Sequence, residues 1–465
     1  MLKYLSDYIG TYEDQLNTKL ITKEDDKPLE ELVVDAWKSL EVLKNIKFLG
    51  YEFSRKESDI DINRHVYRRK MGVPKKSQYD TKLILDNRVG LLTVHLKITA
   101  TEKDSKTGKN ILKEKYINKD MLIPIADEDG FLFINGKKYY LIYQLVEKST
   151  YTTLTSTVVK SLMPVVVKRM PVIYEDVDGT GYIMPHFKTF VFKRETDIML
   201  FIVSRYGILE ALSFLNVAYI LRLVESLKDR KNDCLYFQVS SSCYIEVVKD
   251  LFIKYRYIQG IVAGLLEILP KKFSLDNIND VTPFIKNLTH GKNYEKGLET
   301  LTSFNRMLDE TTKNILKVND YHKENIYAVI RWVMMEFDNL RLKENMSLEN
   351  KRLRCHEYIA SLLTTEFSTR LNRIINLGNK ATMDNIVDIF KFSGMILIQK
   401  MHASGVLRFD ENINDMDFFS RLKYTVKGPH SAGRKTSKSI SKKYRGLHPS
   451  YIGRIDMLTC GNSDW

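Results

Sequence analysis

The sequence predicts an α+β protein of several domains, and two patterns carry that prediction. After an opening helix it reads as strands and hairpins up to about residue 190, whereas from about 197 the apolar spacing becomes helical. Its 465 residues are enough for roughly three domains of about 150 residues each. With 44% apolar and 28% charged residues, and only 10 Pro and 22 Gly, the chain is globular rather than largely disordered or collagen-like.

The first expected element is a helix: Pro28 suits its first turn, and Leu29, Leu32, Val33, Ala36, Trp37, Leu40 and Leu43 share one face. A half-buried strand follows, because Leu92, Val94, Leu96 and Ile98 alternate with Thr93, His95, Lys97 and Thr99. His95 falls on its polar side, as an exposed structural histidine would. In FLFINGKKYYLIYQL (131–145), Asn135-Gly136 separates two runs rich in β-branched and aromatic residues. Both residues tolerate positive φ, so a tight β-hairpin is expected. Asp178-Gly179-Thr180-Gly181 predicts a second hairpin between VIYEDV and YIMPHFKTFVF. Beyond it the pattern predicts helices from about 197 to 343, with a polar break near Leu275–Val281, and two more at 347–376 and 382–402. No repeat of 20–50 residues is present.

Four cysteines (Cys234, Cys243, Cys355, Cys460), none in a C-x-x-C pair, are too few for a disulfide framework and fit reduced cytoplasmic thiols. The opening MLKYLSDYIG carries Asp7 and lacks the apolar core of a signal peptide. Arg205, Glu210 and Arg222 interrupt the most apolar region, Ile198–Leu227, so no membrane span is expected and the cytoplasm is the expected location.

Charge is unevenly spread. Lys and Arg number 72 against 58 Asp and Glu, a net +14. From Phe418 to Ile455 there are ten basic residues and no acidic one: Arg421, Lys423, Lys427, Arg434, Lys435, Lys438, Lys442, Lys443, Arg445 and Arg454. The first 417 residues carry 62 basic and 56 acidic side chains, a net of only +6. A polyanion contact needs such a concentration of charge. A solvated tail is the plainer alternative, but Phe418, Phe419, Tyr424, Val426, Ile440, Tyr444, Tyr451 and Ile452 run through the stretch and argue against it.

Several apparent motifs fail on spacing. In GPHSAGRKTS, Gly428 and Gly433 open like a phosphate loop, but Arg434 displaces Lys435-Thr436 and no apolar strand precedes. A run of hydrophobics ending in Asp, Leu83–Asp86, lies far upstream, in the wrong order. Cys355-His356 are adjacent, unlike metal ligands, and are expected on different sides of a helix. No H-E-x-x-H, G-x-S-x-G or D-x-D-x-D pattern occurs.

Four blocks together resemble the N-terminal half of the β subunit of multisubunit, bacterial-type RNA polymerase. Ile134-Asn135-Gly136 with Gln144-Leu145 is similar to the family's I-N-G-x7-Q-L in the protrusion. Asn350–Arg354 resembles the N-[RK]-R-[LV]-R run that returns the chain from lobe to protrusion. Ser404–Phe409, followed by Gly428-Pro429, looks like the fork region, and Arg445–Ile455 resembles R-[DG]-[VL]-H-P-[ST]-x-x-G-R-I. The departures are a longer basic loop after Gly428-Pro429, a faint Thr459–Asn462 in place of T-P-E-G-x-N, and Arg408 in place of a glutamine.

The resemblance implies a protrusion (1–150), a lobe (151–344), a return to the protrusion (345–400) and a fork region (401–465). It implies a split β subunit like those of giant bacteriophages, hence the host bacterial cytoplasm. The expected partners are the C-terminal half of β on a separate chain, β′-type chains, a promoter-specificity factor, DNA template and RNA. This chain would supply no catalytic residue and bind no cofactor or metal; the Mg²⁺ belongs to aspartates of the β′-type subunit. Its nucleic-acid contacts would be Arg408, Lys423, Lys427, Arg434, Lys435, Lys438, Lys442, Lys443, Arg445 and Arg454. Interleaved aromatics could stack on unpaired bases. A stand-alone basic nucleic-acid-binding protein and an NTPase dependent on Lys435 are the competing readings.

The hairpin is directly testable. Gly136→Val should destabilise the chain by about 2 kcal/mol, because a β-branched residue resists positive φ. Normal thermal unfolding of that variant would remove the turn assignment.

Overall fold

The computed structural model describes residues 28–55, 89–103, 110–126, 131–134, 137–147, 150–191, 194–228, 230–270, 273–289, 293–318, 325–342, 347–377, 382–403, 407–409, 425–426 and 448–454. The chain forms two compact units, one of Met1–Ser149, Asp309–His322 and Glu344–Trp465, the other of Thr150–Leu308 and Lys323–Lys343. Helices and several separate sheets occur together, so the chain is α+β and multidomain.

Among the described residues the first element of the first unit is helix α1 (Leu29–Lys38), entered from Pro28 and continued by a 3-10 turn over Ser39–Val42. Its stripe of Leu32, Val33, Trp37 and Leu40 is fully buried. Strands β1 (Ile46–Ser54), β2 (Val89–Lys103) and β3 (Asn110–Pro124) make an antiparallel sheet in the order β1-β2-β3. Leu92, Val94, Leu96 and Ile98 are buried on one face, as their alternation predicts. His95 lies on the other, its Nδ1 2.9 Å from Asn118 Oδ1 and its Nε2 3.7 Å from Glu52 Oε1. Strands β4 (Leu132–Ile134) and β5 (Lys137–Leu141) pair with Ile134 opposite Lys137, the expected hairpin; Asn135 and Gly136 themselves lie outside the described residues. The short strand β6 (Gln144–Glu147) follows.

The second unit begins with β7 (Thr150–Thr152), β8 (Ser156–Val159), β9 (Val165–Glu175), β10 (Gly181–Val191) and β11 (Arg194–Asp197), paired in chain order. The predicted β9–β10 turn is present, with Gly179 at φ +80°. Asp176 Oδ1 accepts the N–H groups of Asp178 and Thr180 at 3.0 and 2.8 Å, which closes the turn. Asp197 then caps α2 (Ile198–Tyr206) by accepting Met199 N–H at 2.6 Å, and its other oxygen meets His186 in a buried pair. Burial pushes the Asp197 carboxyl above its usual range, against the opposing pull of His186.

After α3 (Ile208–Phe214), the expected run of helices is corrected by a three-stranded antiparallel sheet. Strands β12 (Leu221–Val224), β13 (Cys234–Ser240) and β14 (Cys243–Val248) assemble in the order β12-β14-β13. These short runs are rich in β-branched and aromatic residues, and burial against α4 (Lys249–Lys254) decides for strand where periodicity is ambiguous. Then come α5 (Arg256–Ile268), α6 (Thr282–Asn287) and α7 (Tyr294–Asn305). Helix α8 (Glu310–Val318) belongs to the first unit, whereas α9 (Ile326–Met335) and α10 (Phe337–Leu342) return to the second.

The final stretch corrects two more expectations. The helix expected over 347–376 opens instead as strand β15 (Lys351–Arg354), because these residues complete a ladder with β6; helix α11 runs only from Glu357 to Leu377. Cys355 and His356 therefore lie in the turn entering α11, not on opposite helix faces. The segment 382–402 is two helices, α12 (Met383–Asp388) and α13 (Ile396–Ala403). Between them the Gly394 carbonyl accepts Leu122 N–H at 2.9 Å, tying the break to β3, while Phe390 and Phe392 pack on Trp37. Strands β16 (Leu407–Phe409) and β17 (Thr425–Val426) close the unit.

In the second unit, a Cβ on Gly297 of α7 would fall 2.0 Å from the backbone oxygen of Ile285 in α6. Gly297→Ala should therefore force the helices apart and cost about 1–3 kcal/mol. A thermal melt of the full-length variant checks this, and an unchanged Tm would contradict the close approach.

Candidate functional site

Strand β6 is the centre of the site. On one edge it pairs antiparallel with β15, setting Gln144 opposite Arg354, Leu145 opposite Leu353 and Val146 opposite Arg352. On the other it pairs parallel with β17, Thr425 beside Gln144 and Val426 beside Leu145. Segments more than 200 residues apart thus share one small sheet.

The sheet carries polar side chains into the interior, where Gln144 pairs with Arg354 and Arg352 with Glu357. Gln144 is fully buried and its Oε1 accepts Arg354 Nε–H at 3.0 Å. The Arg354 guanidinium also lies 4.7 Å from the Tyr358 ring centre. Arg352 donates two parallel hydrogen bonds to the Glu357 carboxylate, at 2.5 and 2.6 Å, with both side chains 5% exposed. Sequence reasoning missed this pair: a five-residue separation across a strand–helix junction matches neither helical nor strand spacing.

A second ladder lies in the same unit. β16 pairs with β5, Leu407 opposite Leu141, Arg408 opposite Tyr140 and Phe409 opposite Tyr139. Leu407 and Tyr139 pack on a core of Val89, Leu91, Ile134, Met395 and Ile398. Lys137 Nζ sits 4.7 Å above the Phe409 ring.

After the basic segment in sequence comes a 3-10 turn at Pro449–Tyr451. His448 Nδ1 accepts from Ser450 N–H at 3.2 Å and from Ser450 Oγ at 2.8 Å, while that Oγ accepts Leu348 N–H at 2.9 Å. His448 is thus a hydrogen-bonded turn residue. Tyr451 is buried, which pushes its phenol up. Gly453, at φ +73°, precedes the exposed Arg454.

Both flanks of residues 427–447 are therefore tied to one place: Thr425–Val426 is hydrogen-bonded to β6, and Ser450 to the residue three before β15. The intervening 21 residues hold seven basic and no acidic side chains. Of the ten expected contacts, Arg408 is placed by its backbone in β16 and Arg454 lies in the turn after Tyr451. Lys423, Lys427, Arg434, Lys435, Lys438, Lys442, Lys443 and Arg445 lie outside the described residues, as do Ser404–Val406, Gly428-Pro429, Leu83–Asp86 and Cys460. Among the described residues no group of three His, Cys, Asp or Glu could hold a metal, and no helix is long and apolar enough to cross a membrane.

Glu357→Gln would leave the buried Arg352 without its counter-charge and should destabilise the chain by about 3–5 kcal/mol, read as a shifted denaturation midpoint. The double variant Arg352→Met/Glu357→Leu should recover most of that loss, since apolar replacements of a buried pair are often neutral.

A search of curated proteins finds no match. The family model described as non-virion RNA polymerase subunit matches residues 3–464, nearly the whole sequence. This end-to-end match shows the family: the chain belongs to the non-virion RNA polymerase subunit family, and so is one subunit of a viral multisubunit RNA polymerase.

Proposed function

We propose that this subunit is the N-terminal fragment of the β-type chain and helps hold the DNA template, the RNA–DNA hybrid and the downstream fork during transcription. The observation that carries this reading is the convergence of four distant sequence blocks in one unit. Gln144-Leu145 and Lys351–Arg354 are paired strands, Leu407–Phe409 pairs with the hairpin strand after Ile134, and Ser450 bonds Leu348. A polymerase must grip nucleic acid without reading its sequence, which calls for Lys and Arg aimed at phosphates from a fixed base.

On this reading the residues of the basic segment, with Arg408 and Arg454, contact the backbone, and the flanks keep the segment at the fork. The reaction is nucleotidyl transfer from NTPs to an RNA 3′ end. Its Mg²⁺ would be held by aspartates of the β′-type subunit and would stabilise the developing charge there. The C-terminal half of β would be a separate chain, β′-type chains and a promoter-specificity factor would complete the assembly, and the host cytoplasm would be its place of action.

Replacing Lys435, Lys438 and Lys442 with Glu in the assembled polymerase should weaken template binding. It should also reduce the slope of log affinity against log salt by about 0.9 per lost contact, measured by filter binding across a salt series. An unchanged slope would mean that the segment does not touch nucleic acid.

A further inference from the structure

Three tyrosines gather on the surface of the second unit. Tyr219, in the turn before β12, is 78% exposed, and Tyr255, in the joint between α4 and α5, is 39% exposed. Tyr257, in the first turn of α5, is half-buried, with its ring centre 5.9 Å from that of Tyr255. The Ile220 carbonyl, next to Tyr219, accepts Val248 N–H at 3.1 Å at the entry to α4, which brings Tyr219 to the helix that carries Lys254. Burial first, then Tyr219 and Tyr255, pushes the Tyr257 phenol up. Lys254 Nζ lies 5.2 Å above the Tyr255 ring, and Arg256 is exposed beside it. Among the described residues no carboxylate pairs with either cation. The stretch Lys249–Tyr257 carries three basic residues and one acidic one.

Exposed rings alone would suit any apolar partner, but here they alternate with cations that no carboxylate pairs among the described residues. The complementary partner must offer negative charge at short intervals together with flat faces for the rings. Single-stranded nucleic acid offers both; a duplex keeps its base faces stacked internally. From this juxtaposition we propose that Tyr219, Tyr255 and Tyr257, with Lys254 and Arg256, form a binding surface for single-stranded nucleic acid on the second unit. The surface is separate from the basic segment and does not depend on the fork assignment. Bases stack on Tyr219 and Tyr255, Tyr257 supports Tyr255 from beneath, and Lys254 and Arg256 meet the phosphates on either side.

The test uses the full chain and a fluorescein-labelled oligothymidylate. Tyr219→Ala and Tyr255→Ala should each weaken binding by roughly 5- to 150-fold, the range for loss of one base–aromatic stack. Both residues are exposed, so folding should be unaffected. Tyr219→Phe and Tyr255→Phe should retain most of the binding, because stacking needs the ring and not the hydroxyl. Lys254→Glu/Arg256→Glu should reduce the salt slope by about 1.4, at about 0.7 per single-strand phosphate contact. A 5-iodouracil oligonucleotide, photocrosslinked and mapped by mass spectrometry, should label Tyr219 or Tyr255. Alanine variants that bind within twofold of the parent, Phe variants as weak as Ala, or adducts confined to residues 423–454 would overturn the proposal. The last result would leave the basic segment's role standing; conversely, loss of the Lys435/Lys438/Lys442 effect with adducts at the tyrosines would leave this surface standing alone.

Discussion

Strand β6 spans four residues, and a strand that short holds its place only with neighbours on both edges. Those neighbours are β15 and β17, and the first brings Lys351 and Arg352 into the interior with it. A guanidinium buried there without a counter-charge would cost several kcal/mol, so the ladder depends on Glu357 standing at the start of α11. The same pair fixes where α11 leaves the strand. From there the helix packs Phe367 against Trp37 of α1, ring centres 4.8 Å apart, and grips α13 through Glu366, which binds Arg370 at 2.7 Å and Lys400 at 3.0 Å. Burial opposes the ionised form of Glu366, but the two cations outweigh it and hold the carboxyl below its usual range. Since α13 leads into β16, both ladders of the site trace back to one buried ion pair.

Local chemistry made some of this architecture legible in the sequence. The turn after Asp176 and the pairing around Asn135-Gly136 follow from residues that favour tight turns, and β2 follows from strict alternation. What escaped was whatever depends on a remote partner. Lys351–Arg354 consists of residues with good helix propensity, and only its register against β6, about 200 residues earlier, makes it a strand. The break at Gly394 is set by a hydrogen bond to Leu122, and the sheet of β12–β14 consists of runs too short for period to separate strand from helix. The basic segment was legible as charge, whereas the anchoring of its flanks to β6 and to the turn before β15 was not, because it rests on a two-residue ladder and one serine hydroxyl.

The net charge of +14 also divides differently in three dimensions than along the chain. Arg352 and Arg354 serve the interior, and Lys119 and Arg370 both meet the Phe392 ring, 4.9 and 5.2 Å from its centre. In the second unit the buried Glu246 takes up Arg222 and Lys231, each at 3.2 Å. Many cations outside Phe418–Ile455 are thus committed to packing or to carboxylates. This sharpens the contrast with the segment between the two flanks, which has no acidic residue of its own.

The register of β6 has a consequence during synthesis. Its partner strand begins 204 residues downstream, at Lys351, opposite Glu147. At translation rates of about 5–20 residues per second, β6 leaves the ribosome roughly 10–40 seconds before β15 exists. Through that interval its backbone groups have neither of their native neighbours, while Thr150–Leu308 is already emerging and can begin to fold. The nascent chain therefore carries an open strand edge, the kind of template on which polypeptides aggregate, until the ribosome has finished most of the protein.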